Sequence, residues 1–229
     1  MGNYKKIGVV VADDMEFKPL YEYFLKNGAK ETTVFSRKTL TLKINNTECV
    51  AVFCGMGKVN AAALTAKLIS DGCDAIMNYG LSGGLGDSCI GKFSIPSSFV
   101  EHDFDLTPLG YKMCEKPWQE YVYYADKKII EEIKEILPDA VVGPAACGDK
   151  FITKKEDSDF LISTFDAKTC DMETAAIASV CDMTNTAFYC IRRVSDGADE
   201  NVEAYRDMNI NSGDVLFDNF YKLLDKISK

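Results

Sequence analysis

Apolar positions in the chain follow two rhythms. Lys5–Ala12, Cys49–Cys54, Ala75–Tyr79 and Ala187–Val194 are short, nearly unbroken apolar runs, the pattern of strands covered on both faces. Thr32–Phe35, Leu40–Ile44, Phe93–Val100 and Ala140–Cys147 read as further strands, with Asn45-Asn46 as a tight hairpin turn. Between them the spacing shifts to three and four. Glu16–Lys26 places Phe17, Leu20, Tyr21, Phe24 and Leu25 on one helical face, and after Glu173 the residues Ala176, Ile177, Val180 and Cys181 do the same. Helices are also predicted from Gly55–Lys58 to about Ser70, over Asp126–Leu137 (stopped by Pro138), over Lys154–Ser163 and over Asp214–Ile227. Only Glu101–Glu120, with Pro108, Pro117 and Trp118, is irregular. Strand and helix alternate throughout, with no linker, repeat or low-complexity tract. That order predicts one α/β domain over residues 1–229, three layers α/β/α around a central mixed sheet.

Composition narrows the function. The net charge of −9 argues against a phosphate-backbone binder, so nucleic acid is not an expected partner. No apolar run approaches the roughly 20 residues of a membrane span, and the apolar run near the N-terminus is too short for a signal peptide. Nine cysteines without a CxxC pair, beside the single His102, fit neither a zinc site nor a disulfide framework. Most lie in strand-like runs where a thiol packs as a small hydrophobe, which points to a reducing cytoplasm. No metal and no cofactor is expected.

Four predicted strand exits carry polar chemistry: Asp13–Glu16, Gly55–Lys58, Gly80–Gly86 and Ser195–Asp199. In open α/β sheets ligands bind just beyond the carboxyl ends of strands, so these loops could converge. Glu173 belongs with them, at a strand-to-helix junction in the first turn, where a carboxylate gains from the helix dipole and can face a ligand. Each element also has a plainer reading: Glu16 and Glu173 as helix-start acids, Asp196 as an N-cap or turn residue. GMGK lacks the full P-loop pattern, and NYGLSGGLG is not a dinucleotide fingerprint.

In order, Glu16, GMGKVNAAA, NYGLSGGL, EHDFDLTPLGY, CGDKFI, CDMETAAIASVC and RRVSDGAD resemble the nucleoside phosphorylase/nucleosidase superfamily from about Lys5 to the C-terminus. Within it the sequence is most similar to the bacterial 5′-methylthioadenosine/S-adenosylhomocysteine nucleosidases. The resemblance implies hydrolysis of the N-glycosidic bond of adenine nucleosides, a small-molecule nucleoside partner and a homodimer. It assigns Asp196 as the acid at purine N7 and Glu16 as the base that activates water, with Arg192 and Glu173 holding that water. A carboxylic acid keeps its proton near neutral pH only where burial disfavours the charged form. Asp171, Met172 and Glu173 match the ribose-binding segment, with the Glu173 carboxylate accepting from the 2′ and 3′ hydroxyls. Phe151 matches the ring that stacks on the purine, and Ile152 the residue whose backbone reads its edge. Leu106, Pro108 and Tyr111 match a segment that crosses a dimer interface to line the pocket for the 5′ substituent; ordinary interface packing explains them equally well.

The chain departs from the family's usual Gly-Ser-Ala-Gly-Gly with Gly80-Leu81-Ser82-Gly83-Gly84, so Ser82 and Gly83 stand near the expected sugar site while Leu81 takes the place of a hydroxyl. Phosphorylases of the superfamily clamp phosphate with arginines. Here Asn78-Tyr79-Gly80 has none nearby and the first turn reads ADDME, acids that repel anions, so water is the expected nucleophile. Alternative readings are a phosphate-dependent purine nucleoside phosphorylase, a hydrolase of another adenine-type nucleoside such as aminofutalosine, and a non-catalytic purine-binding protein on the same fold.

Overall fold

A computed structural model describes residues 4–86, 90–198 and 202–229. Its first strand, β1 (Lys6–Val11), is buried over all but its first residue, which is why its sequence is apolar without alternation. Asp13 then accepts the backbone N–H of Met15 at 2.8 Å and caps α1 (Asp14–Lys26), so this helix starts two residues earlier than its apolar spacing implied. The antiparallel strands β2 (Lys30–Val34) and β3 (Arg37–Ile44) follow, then β4 (Thr47–Phe53), joined to β3 through the expected Asn45-Asn46 turn. Phe35, expected at the end of β2, instead lies with Ser36 in the tight turn, both at positive φ.

Next come α2 (Lys58–Ser70), β5 (Ala75–Gly84), β6 (Phe93–Glu101), β7 (Val122–Tyr124) and α3 (Lys127–Lys134). They are followed by β8 (Val141–Cys147), α4 (Lys155–Phe165), β9 (Thr169–Asp171), α5 (Thr174–Thr184), β10 (Ala187–Asp196) and α6 (Val202–Ile227). Gly80–Gly84, expected as loop, continues β5, because β10 runs parallel beside it as far as Gly83 and gives its backbone partners. α6 begins twelve residues before the expected Asp214. The Asn-Ile-Asn-Ser-Gly segment hides its periodicity. Gly213 is there because α6 crosses α1 closely: a Cβ would lie 2.8 Å from the Met15 carbonyl and 3.1 Å from the Pro19 ring. α3 ends at Lys134 rather than Leu137, and the three-residue β7 is too short to stand out.

The strand order is β10-β6-β8-β9-β5-β1-β4-β3-β2, with both parallel and antiparallel neighbours, and β7 pairs with β6. β10 also pairs with β5, so β5, β10, β6, β8 and β9 close into a ring of strands while β1 to β4 extend from it as an open sheet. The largest apolar cluster joins α1, α3 and α6 to one face through Leu20, Phe24, Ile133 and Phe220. A second, with Leu64, Leu68, Ile177 and Cys181, packs α2 and α5 on the other. The layers and mixed sheet are those expected, and the closure of the sheet on itself is an addition to them.

Candidate active site

β5 and β10 build the centre of the site. In their parallel register Arg192 stands opposite Gly80. A Cβ at Gly80 would lie 2.4 Å from Arg192 Nη1 and 2.8 Å from Glu16 Oε2, so the missing side chain is what lets both groups enter. The backbone beside that gap ties them together. Leu81 N–H donates to Glu16 Oε1 at 2.7 Å, and the Leu81 carbonyl accepts from Arg192 Nη1 at 3.3 Å. Leu81 therefore acts through its main chain, while its side chain joins the large apolar cluster. The neighbouring Ser82 hydroxyl is buried, lines the cavity and has no partner among the described residues.

Glu16 is 6% exposed, and burial pushes its carboxyl up to about 8, against the pull of Arg192. Arg192 is 2% exposed, with Nη2 3.8 Å from both Asp171 Oδ1 and Glu173 Oε2. Its Nε and Nη2 make no hydrogen bond among the described residues. Those donors remain for a small polar molecule in the cavity.

The junction after β9 divides the labour between two acids. Asp171 Oδ1 accepts the N–H groups of Glu173 (2.9 Å) and Thr174 (2.8 Å), and Oδ2 accepts the Thr174 hydroxyl (2.6 Å). Asp171 is therefore the acid that satisfies the start of α5. Glu173, expected inside the first turn, immediately precedes the helix and gives it no side-chain hydrogen bond. Its Oε1 instead accepts Gly57 N–H, at the start of α2, at 2.9 Å. Burial raises the Glu173 carboxyl, with Arg192 opposing. Asp149, in the CGDK loop, accepts the next donor, Lys58 N–H, at 2.8 Å. Two successive donors of the GMGK turn, Gly57 and Lys58 N–H, are thus taken by the protein's own carboxylates.

At the end of β10 the register slips between Val194 and Asp196, an irregularity that re-aims the last side chain. Asp196 is 4% exposed; its Oδ2 accepts the Ser195 hydroxyl at 2.6 Å and its Oδ1 the Ala198 N–H at 2.8 Å. A Cβ on the neighbouring Gly83 would come within 2.9 Å of Cys170 Sγ and 3.5 Å of Asp196 Oδ1. Asp199, part of the same expected exit, lies outside the described residues.

One cavity collects these groups. Glu16, Ser82, Gly83, Asp171, Met172, Glu173, Arg192 and Asp196 line it, with Phe151 and Ile152 from the loop after β8. Its enclosed volume of about 90 Å³ is well below the roughly 300–1,000 Å³ of common ligand sites, so a nucleoside-sized molecule would also use the open mouth beside Met56 and Phe151. Leu106, Pro108 and Tyr111 do not line this cavity in their own chain. They sit in and beside the short 3-10 turn Thr107–Leu109, where Leu109 is 72% exposed. Met56, from the expected Gly55–Lys58 exit, and Lys150, from the CGDKFI motif, line it too, and Tyr205 lines it from a stretch that was not expected to. Tyr205 stands edge-on to Phe151, centroids 5.0 Å apart, on the part of α6 whose periodicity the sequence conceals.

Comparison with known proteins places this geometry. A 5′-methylthioadenosine/S-adenosylhomocysteine nucleosidase of Shewanella loihica is 30% identical over 204 residues, spanning 86% of this chain and 88% of the relative. One from Desulfotalea psychrophila is 28% identical over 226 residues, spanning 93% and 96%. The crystal structure of the Neisseria meningitidis nucleosidase in complex with methylthio-immucillin-A superposes with a TM-score of 0.89 at 28% identity, covering 97% of this chain and 99% of that one. The phosphorylase superfamily profile matches residues 6–228, and the chain belongs to that superfamily, in its 5′-methylthioadenosine/S-adenosylhomocysteine nucleosidase family.

Proposed function

We propose that the chain hydrolyses the N-glycosidic bond of adenine nucleosides that carry a 5′-thio substituent, 5′-methylthioadenosine and S-adenosylhomocysteine. The observation that carries this is the opening of Glu16, Glu173, Arg192 and Asp196 onto one cavity. In the step, Asp196 gives a proton to purine N7 as the bond from C1′ to N9 breaks. Glu16 takes a proton from a water held by Arg192 and Glu173, and the water oxygen bonds to C1′. Adenine and the 5-thio-substituted ribose leave. A base whose carboxyl is pushed up to about 8 is well matched to proton transfer near neutral pH. Phe151, 41% exposed, offers a face for the purine, and the Glu173 carboxylate and Ser82 hydroxyl offer partners for the sugar.

Electrostatics favour water over phosphate. Asp13, Glu16, Asp171, Glu173 and Asp196 line the cavity against the cations Lys150 and Arg192. The starts of α1 and α2, the natural anion sites, are capped by Asp13, Glu173 and Asp149. The exposed, partly apolar Leu106–Tyr111 segment fits a homodimer in which each chain supplies Leu106, Pro108 and Tyr111 to its partner's mouth. Among the described residues eight cysteines are free and buried, in keeping with a reducing cytoplasm; the proposed reaction, which releases adenine and a thioribose, would serve methionine salvage. No helix of the described residues is long and apolar enough to cross a membrane.

Incubation with methylthioadenosine, with and without phosphate, tests the reaction. Adenine should appear at the same rate in both, beside free methylthioribose. Release that requires phosphate and yields a sugar 1-phosphate would establish the phosphorylase instead. With no release from methylthioadenosine, a panel of other 5′-modified adenine nucleosides separates the related hydrolase, which cleaves one of them, from the non-catalytic binder, which cleaves none.

A further inference from the structure

A second cavity, of about 400 Å³, opens at the opposite end of β10, between α3, the C-terminal end of α5 and β7. It shares no lining residue with the first, and its size suits a small molecule (roughly 300–1,000 Å³ for such sites). Six aromatic residues stand among its lining. Tyr4 meets Tyr189 edge-on at 6.0 Å between centroids, Phe99 lies 5.3 Å from Phe188, and Tyr123 and Tyr124 complete the rim. Asp126, Glu132 and Asp182 face it against a single cation, Lys128. Glu132 is 8% exposed. Its Oε2 accepts the Tyr189 hydroxyl at 2.8 Å, and Tyr189 in turn lies 3.2 Å from the Tyr4 hydroxyl. Burial and these hydrogen bonds raise the Tyr189 phenol, which keeps it a donor. The other carboxylate oxygen of Glu132, Oε1, accepts no hydrogen bond among the described residues and is not among their buried partnerless atoms, so it is open to the solvent of the cavity.

An open carboxylate oxygen beside aromatic rings, in a lining with more acids than cations, favours one kind of ligand. A cation gains the charge attraction and the ring faces together, an anion is repelled, and a neutral donor gains only the hydrogen bond and the packing. We propose that this cavity binds an organic ammonium, a primary or quaternary amine on an apolar body, with its charge at Glu132 Oε1 and between the rings.

Calorimetric titration of the full chain with benzyltrimethylammonium chloride at low salt tests this. Saturable binding at one site per chain is expected, with neutral benzyl alcohol weaker by about tenfold or more, the scale of one charged contact. Glu132→Gln keeps the shape and should weaken binding by a similar factor. Tyr124→Ala, at a side chain 79% exposed and so no threat to folding, should weaken it several-fold. Glu173→Gln, in the first cavity, should leave it unchanged. Absence of saturation, equal affinity for benzyl alcohol, indifference to both Glu132→Gln and Tyr124→Ala, or loss on Glu173→Gln would overturn the proposal.

Discussion

Glu16 holds a proton that the unfolded chain would release. Its ordinary value is 4.5, and burial lifts it in the fold to about 8. Between those two pH values the native state binds more protons than the unfolded state, so stability falls as pH rises through this window and levels off above it. Glu16→Gln removes that contribution. The variant should be more resistant to urea at pH 8 than the parent by on the order of a few kcal/mol, and the difference should fade towards pH 4.5. Turnover should move the other way. As the proposed base, ionised Glu16 gives kcat/KM a rising limb with pH through an ionisation near 8, and Glu16→Gln should lose that limb together with about 10²–10⁴-fold of the rate. Asp196→Asn should cost a comparable factor while its thermal transition stays cooperative. Normal turnover in either variant would remove the role assigned to that residue.

At the scale of elements, the site is made by close approaches between neighbouring segments. Gly80→Ala would push a methyl into Arg192 Nη1 and Glu16 Oε2, and should destabilise by about 1–3 kcal/mol in urea unfolding while lowering kcat. Asp171→Ala removes the acceptor of two backbone donors at the start of α5, and should cost about 1–2 kcal/mol in the same measurement even with the cavity empty. Much of this was legible beforehand. The apolar runs located β1, β4, β5 and β10, because strands covered on both faces need no polar alternation. The acids after them stood out against that background. Glu173's real partner was not legible, since the Gly57 N–H lies far off in sequence and only the packing of α2 beside α5 brings it near. Tyr205 was missed for a related reason: Asn209, Asn211 and Gly213 break the apolar spacing of α6, although Gly213 is what allows the crossing with α1. The backbone role of Leu81 is invisible to any argument about side-chain type.

Across the whole molecule, the single chain brings the proposed catalytic groups together but leaves the cavity open beside the exposed Phe151 and Met56. A homodimer that completes it should sediment at twice the chain mass. Tyr111→Ala should then raise KM for methylthioadenosine several-fold with little change in kcat, because it would touch only the 5′ substituent. A monomer in sedimentation equilibrium would assign Leu106, Pro108 and Tyr111 to the surface of their own chain.

The hydrogen bond from Gly57 to Glu173 gives the pocket a built-in competitor. A sugar diol that donates to both oxygens of the same carboxylate would share Oε1 with that amide, so occupancy would be transmitted to the first turn of α2. Titration with a ribose-bearing inhibitor should shift the Gly57 amide resonance and quicken its exchange with solvent deuterium. The turn that carries Met56 would thereby register the arrival of a sugar without touching it.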